Sequence, residues 1–147
     1  VSAVILGWNR DKWDGWSTQY ESIAAAMEDP AFRYRCRWSV GARREVEIGT
    51  DAWLLRQGRI RGLIGHGVTL TEPIEDVHFT DPDKTRRYVE IEFDVLLDER
   101  DVIPPEILQA VVPEVAWPSQ FQSGNSIPVQ AESRLMALWE DHIRTVR

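Results

Sequence analysis

The chain has 147 residues, 43% of them hydrophobic and 28% charged, with a net charge of −7. That is length enough for one domain with its own core, expected to run from 1 to 147, and the wrong charge for a non-specific nucleic-acid coat. No apolar run is long enough to cross a bilayer, and the opening Val-Ser-Ala-Val-Ile-Leu is too short and lacks the basic flank of a signal peptide. One cysteine, Cys36, excludes an internal disulfide and fits the cytoplasm as the expected location. The three histidines lack metal-ligand spacing, so neither a metal nor any other cofactor is expected.

Ala3-Val-Ile-Leu6 reads as a short buried strand ended by Gly7. The stretch Gly7-Trp-Asn-Arg-Asp-Lys-Trp-Asp-Gly-Trp-Ser-Thr18 reads as a polar loop, and it holds Trp8, Trp13 and Trp16 out of seven tryptophans in the chain. Indoles in a loop rich in Asp, Gly and Asn suit stacking on something flat, such as a nucleobase or a cation. The alternative is a loop whose indoles fold back as a lid over a small core. Ser17 or Thr18 is placed to cap a helix running to about Glu28, with Tyr20, Ile23, Ala24 and Met27 at helical spacing and Pro30 as the stop.

Arg33-Tyr-Arg-Cys-Arg-Trp38 alternates, putting Tyr34, Cys36 and Trp38 on one strand face and three arginines on the other. Turns at 41–44 and 48–51 lead to a strand at 52–56, and Gln57-Gly-Arg59 turns into a glycine-interrupted strand from Ile60 to Leu70. Pro73 to Arg86 reads as a long polar loop containing His78 and Phe79. Tyr88 to Leu96 is the clearest strand, with Val89, Ile91, Phe93 and Val95 facing one way and Glu90, Glu92 and Asp94 the other. Pro104-Pro105 opens a short helix to Val111, 115–128 is irregular, and a last helix spans 129–144. Trp53 and Trp139 belong to the core by their apolar stripes; Trp117 is undecided. The expected class is α+β, a bent, mostly antiparallel sheet or small β-barrel flanked by helices.

Eight arginines (33, 35, 37, 43, 44, 56, 59 and 61) face only Glu45, Glu47 and Asp51 between 33 and 61. Such a stretch makes either a local phosphate-binding face or a solvated, salt-bridged strand face. The phosphate candidates are Arg10, Lys12, Arg35, Arg43, Arg44, Lys84, Arg86 and Arg87, with Ser123 and Asn125 as donors from a flexible loop. Glu90, Glu92 and Asp94 sit at strand period. No nucleophile–base pair or phosphate loop is evident, so this domain is not expected to be an enzyme.

Trp38-Ser-Val-Gly41, Ile48-Gly-Thr-Asp-Ala-Trp-Leu-Leu-Arg56, Arg61-Gly-Leu-Ile-Gly-His-Gly-Val-Thr-Leu-Thr-Glu-Pro73, Tyr88-Val-Glu-Ile-Glu-Phe93 and Ser123-Gly-Asn-Ser-Ile127 occur in an order that resembles the EVE domain of the PUA-like superfamily, a relative of YTH and SRA-type modified-base readers. Trp16-Ser-Thr18 is similar to the opening of the YTH helix. Gly49-Thr-Asp51 departs from the Gly-Asp that family members often carry in that turn. The resemblance implies a PUA-like fold with an aromatic cage formed by Trp8, Asn9, Trp13, Trp16, Ser17 and Trp38; His66, flanked by Gly65 and Gly67, reads either as a residue approaching the ligand or as one packed against the sheet. It implies a domain that flips a modified base, foremost 5-methylcytosine in double-stranded DNA, out of the duplex. Such a domain would be the recognition half of a methylation-dependent restriction endonuclease whose cutting belongs to a separate HNH-type domain, through which two copies pair. The alternatives are a reader of modified RNA such as methyladenine, and a small-ligand or interaction module with the Trp loop as lid. Flipping costs a few kcal/mol, and indole stacking returns roughly 1–3 kcal/mol per base, so phosphate contacts must supply the net affinity. Replacing Trp13 or Trp16 by alanine is expected to abolish the base preference and leave the fold intact.

Overall fold

A computed structural model describes residues 3–10, 16–77, 85–119 and 123–147. In chain order the elements are β1 (Val4–Asn9), α1 (Ser17–Ala26), β2 (Tyr34–Ser39), β3 (Asp51–Gln57), β4 (Gly62–Thr69), β5 (Ile74–Val77), β6 (Thr85–Leu96), α2 (Pro105–Val111), β7 (Asn125–Ser126) and α3 (Val129–Val146). Short 3₁₀ turns cover Glu99–Asp101 and Trp117–Ser119. The class is α+β, as the sequence pattern implies. Among the described residues, no helix is long and apolar enough to cross a membrane.

All seven strands join one sheet in the order β2-β6-β4-β3-β1-β7, with β5 also on β6. Pairing is antiparallel except between β1 and β3, which run parallel from Val4↔Ala52 to Asn9↔Gln57. That pairing corrects the reading of Trp8 and Asn9 as loop residues. Glycine does not end the strand, because Gly7 stays in register with Leu55 on the neighbouring strand. The segment before Thr85, read as one polar loop, contains the edge strand β5, which pairs Ile74↔Tyr88 through Val77↔Thr85. Ile74, Glu75 and Asp76 are all exposed, Ile74 at 61%, so no apolar alternation marks the strand.

The sheet curls until its ends approach. The Ser123 hydroxyl accepts from the Gly7 amide at 3.0 Å on β1 and donates to the Ser39 carbonyl at 2.5 Å on β2. The Trp38 indole N–H donates across the same gap to the Gly7 carbonyl at 3.1 Å, and the Gly124 amide bonds the Ile5 carbonyl at 2.8 Å. A partly open barrel is thus closed by side-chain and loop hydrogen bonds where a strand ladder is missing. Inside lie Val4, Leu6, Leu54, Val89, Ile91 and Phe93. On the outer face Trp53 packs edge-on against Trp139 of α3, 5.6 Å between ring centroids, which makes both of them core residues as expected.

Candidate functional site

The inner face gathers aromatic rings at the C-terminal end of β1. Alternation turns Val4, Leu6 and Trp8 inward together, in register with Ala52, Leu54 and Arg56. Trp16 opens α1, and Tyr20 follows one helical turn later on the same side. Tyr34 and Trp38 project from β2, and Phe93 faces Tyr34 across the β2–β6 ladder. Trp16 is the hub: its ring centroid lies 5.0 Å from Trp8, 5.0 Å from Trp38, 5.1 Å from Tyr20, 6.0 Å from Tyr34 and 6.3 Å from Phe93. Trp8, Trp16 and Trp38 are 1%, 5% and 6% exposed. Most polar ends are satisfied. The Trp16 N–H donates to the Tyr34 hydroxyl at 3.3 Å, Trp38 to Gly7 as above, and the Tyr20 hydroxyl to the Leu97 carbonyl at 2.6 Å. The Trp8 N–H is buried with no acceptor among the described residues, a state that costs about 1–3 kcal/mol.

Beneath the rings runs an ionic chain. The Arg56 guanidinium, in a residue 3% exposed, lies 5.3 Å from the Trp8 ring centroid and has its Nε 3.7 Å from Glu99. Arg10 bonds Glu99 and, at 3.0 Å, Glu21 of α1. Burial disfavours the Arg10 charge, but the two carboxylates outweigh it and hold its pKa above the usual value. Burial, then the nearby Glu99, pushes the Tyr20 hydroxyl well above its ordinary pKa, so it stays a neutral donor.

The structure brings Trp8, Trp16 and Trp38 together. Trp13, Lys12 and Lys84 lie outside the described residues, as does the side chain of Ser17. Asn9, half-buried at the end of β1, falls by alternation on the face opposite Trp8. The placement of His66 in the base pocket is corrected. His66 is opposite Trp53 in the β3–β4 ladder and rests against its ring at 4.5 Å, and Trp53 is three residues from inward-facing Arg56. An odd offset on a strand means the other face of the sheet.

Most of the phosphate candidates are engaged within the protein. Arg10 is held as described. Arg35 bonds Glu92 at 2.7 Å while 70% exposed, and Arg87 meets Glu75 at 3.4 Å. Arg37, outside the candidate set, bonds Asp76 at 2.7 Å with its guanidinium 4.3 Å from the Tyr88 ring centroid. Arg86 bonds the Thr85 carbonyl. Arg43 bonds the carbonyls of Glu45 and Gly124, and Arg44 beside it is exposed. Ser123 joins the two ends of the sheet, and Asn125 is exposed on β7. Within the basic stretch Arg35, Arg37 and Arg56 meet acids, while Arg33, Arg43 and Arg61 bond backbone carbonyls; Arg43 reaches the seam through Gly124. The sequence reading passes over Tyr20, Phe93 and Arg56 as site residues. Spacing of four from Trp16 marks Tyr20; only strand register brings in the other two.

On the outer face His66 is clamped between two carboxylates, Nε2 to Asp51 at 2.8 Å and Nδ1 to Asp94 at 2.7 Å. Burial pulls the His66 pKa down, but the bonds and charges of Asp94 and Asp51 outweigh it and set it above the usual value. Burial likewise raises Asp94, yet the His66 bond leaves it below the usual carboxylate value. Only an imidazolium can donate to both acids at once. A raised histidine pKa stabilises the fold fully below the unfolded value of about 6.5, and that contribution is lost as pH rises through the folded value. A lowered Asp94 pKa contributes above the unfolded value of about 3.9 and is lost as pH falls through the folded one. Thermal melts across pH are expected to show declining stability on the alkaline side, and His66→Gln should flatten that limb. An unchanged alkaline limb in His66→Gln would rule out the clamp as its cause.

No family model matches the chain, and no curated protein matches it. Among solved structures it is similar to the YTH domain-containing protein mmi1 in a complex with RNA, at 15% identity and a TM-score of 0.57, over 99% of this chain and 87% of that one. At that identity the likeness establishes the fold alone, a curled sheet with three helices shared with that structure.

Proposed function

We propose that the chain reads a modified base in nucleic acid by admitting it, flipped, among the rings of Trp8, Trp16 and Trp38. The favoured substrate is 5-methylcytosine in duplex DNA, and the wider role is recognition for a methylation-dependent restriction nuclease whose cutting resides in a separate HNH-type domain. The observation that carries this reading is the concentration of rings around Trp16 at the gap between β1 and β2, which Ser123 and Trp38 bridge. A flat base between indoles recovers roughly 1–3 kcal/mol by stacking, and burying one methyl adds about 0.8 kcal/mol. Arg43 and Arg44, at the turn beside the seam, supply phosphate contacts. A second reading, modified RNA as the ligand, is favoured by the shared fold with mmi1, whose structure is an RNA complex.

Titration at one fixed salt concentration tests this. The probes are duplexes identical except at one cytosine (unmodified, 5-methyl or 5-hydroxymethyl), a methyladenine duplex, and single-stranded RNA with and without N6-methyladenosine. Preference for a modified cytosine duplex is expected. Preference for the modified RNA would move the assignment to the second reading, and equal binding of modified and unmodified probes would sink both.

A further inference from the structure

The Trp8 indole N–H is the unpartnered donor of the aromatic cluster. Its residue is 1% exposed, and among the described residues the nitrogen has no hydrogen-bond acceptor. Neighbouring polar groups set the contrast, since Trp16, Trp38 and Tyr20 all donate to an oxygen. Buried donors are almost always satisfied, so an exception needs a reason. Arg56, whose guanidinium lies by the Trp8 ring, cannot supply one, because a guanidinium has only hydrogens to offer. The π faces of Trp16 and Tyr20 are weak acceptors.

We infer that Trp8 Nε1 is the specificity-determining donor of the pocket, bonding a ring nitrogen or carbonyl oxygen on the edge of the inserted base. This rests on the base-reader reading above and names the edge that the site selects. A base seats with an acceptor toward the Trp8 N–H and its amino group turned away, since an amino group turned inward would set donor against donor. Cytosine offers O2 and N3 as such acceptors, and adenine its ring nitrogens. The incoming edge reaches Trp8 by replacing its contact with Trp16, which lies 5.0 Å away. The bond missing from the unliganded protein then forms only in the complex, so its worth appears in affinity, less the cost of displacing the Trp16 contact.

The test replaces Trp8 by benzothienylalanine, which exchanges the N–H for sulfur and keeps the bicyclic shape. Two quantities are measured: the melting temperature, and affinity for a duplex with one 5-methylcytosine and for single-stranded RNA with one N6-methyladenosine. The unliganded variant is expected to melt at or above the wild-type temperature, because no bond is lost. Its affinity for whichever probe the wild type prefers is expected to fall about tenfold. Equal affinity in the two proteins overturns the role of Trp8 and leaves the reader standing. A lower melting temperature in the variant overturns it too, by showing that the N–H already has a partner. A wild type that binds neither modified probe better than its unmodified counterpart overturns the reader, and this inference with it.

Discussion

Trp16→Ala is expected to cost about 3–5 kcal/mol of folding stability, the usual result of truncating a buried aromatic to alanine. The residue is 5% exposed and touches the rings of Trp8, Tyr20, Tyr34, Trp38 and Phe93. Its removal opens a cavity shared by α1, β1, β2 and β6, which no single neighbour can fill. For a domain of this size the melting temperature should drop by about 10 °C. This corrects the expectation that alanine at this position leaves the fold intact. That expectation took Trp16 for a loop residue, whereas it stands at the start of α1 and, with Tyr20, Ala24 and Met27, is buried in the core. The substitution that separates binding from stability is Trp16→Phe. It keeps a ring in the cluster, forgoes the bond to the Tyr34 hydroxyl, and is expected to melt within a few degrees of wild type while weakening preference for a modified base. An alanine variant that melts with the wild type would show that the cluster contributes little to the fold.

Gly124→Ala is the second large effect. Gly124 has φ +102°, and a Cβ added there would lie 2.1 Å from the Val40 carbonyl oxygen and 2.7 Å from its carbon. Those atoms are backbone, so no rotamer change relieves the clash. The end of β2 must retreat from β1, and with it go the bonds that Ser123 and Trp38 make across the gap. A loss on the order of 3–5 kcal/mol is expected. Gly49→Ala is the matched control. At φ +86° it carries the same kind of backbone penalty, with nothing within 4 Å of the new Cβ, and should cost about 1–2 kcal/mol. Thermal melts of the two variants separate steric closure of the seam from glycine conformation alone. Equal losses would mean that the seam bears no load.

Where side chains alternate, the sequence was legible. Tyr34, Cys36 and Trp38 do share a face against three arginines, and the apolar face of β6 lies in the core. The helices from Pro105 and Val129 follow from proline placement and apolar spacing. What stayed hidden depends on partners distant in the chain. Trp8 belongs to a strand because Arg56 is its parallel neighbour, which no local pattern around Gly7 reveals. His66, between two glycines, reads as a residue close to a ligand, and only the ladders on both sides of β4 show that Asp51 and Asp94 enclose it. The arginine stretch was visible as charge, while the acids that meet Arg35 and Arg37 come from β6 and β5.

The position of β1 has a consequence for synthesis. This strand is enclosed on one side by β3 and on the other by the short β7, which is made much later. The bond between Gly7 and Ser123 spans 116 residues of chain, which at ordinary elongation speeds take roughly 6–25 s to make. Through that interval Val4, Ile5 and Leu6, wholly buried at the end, have no completed sheet to enter. The nascent protein must hold an apolar, edge-exposed strand in waiting, a natural target for a holding chaperone and the stretch most prone to pair wrongly if translation stalls before residue 123.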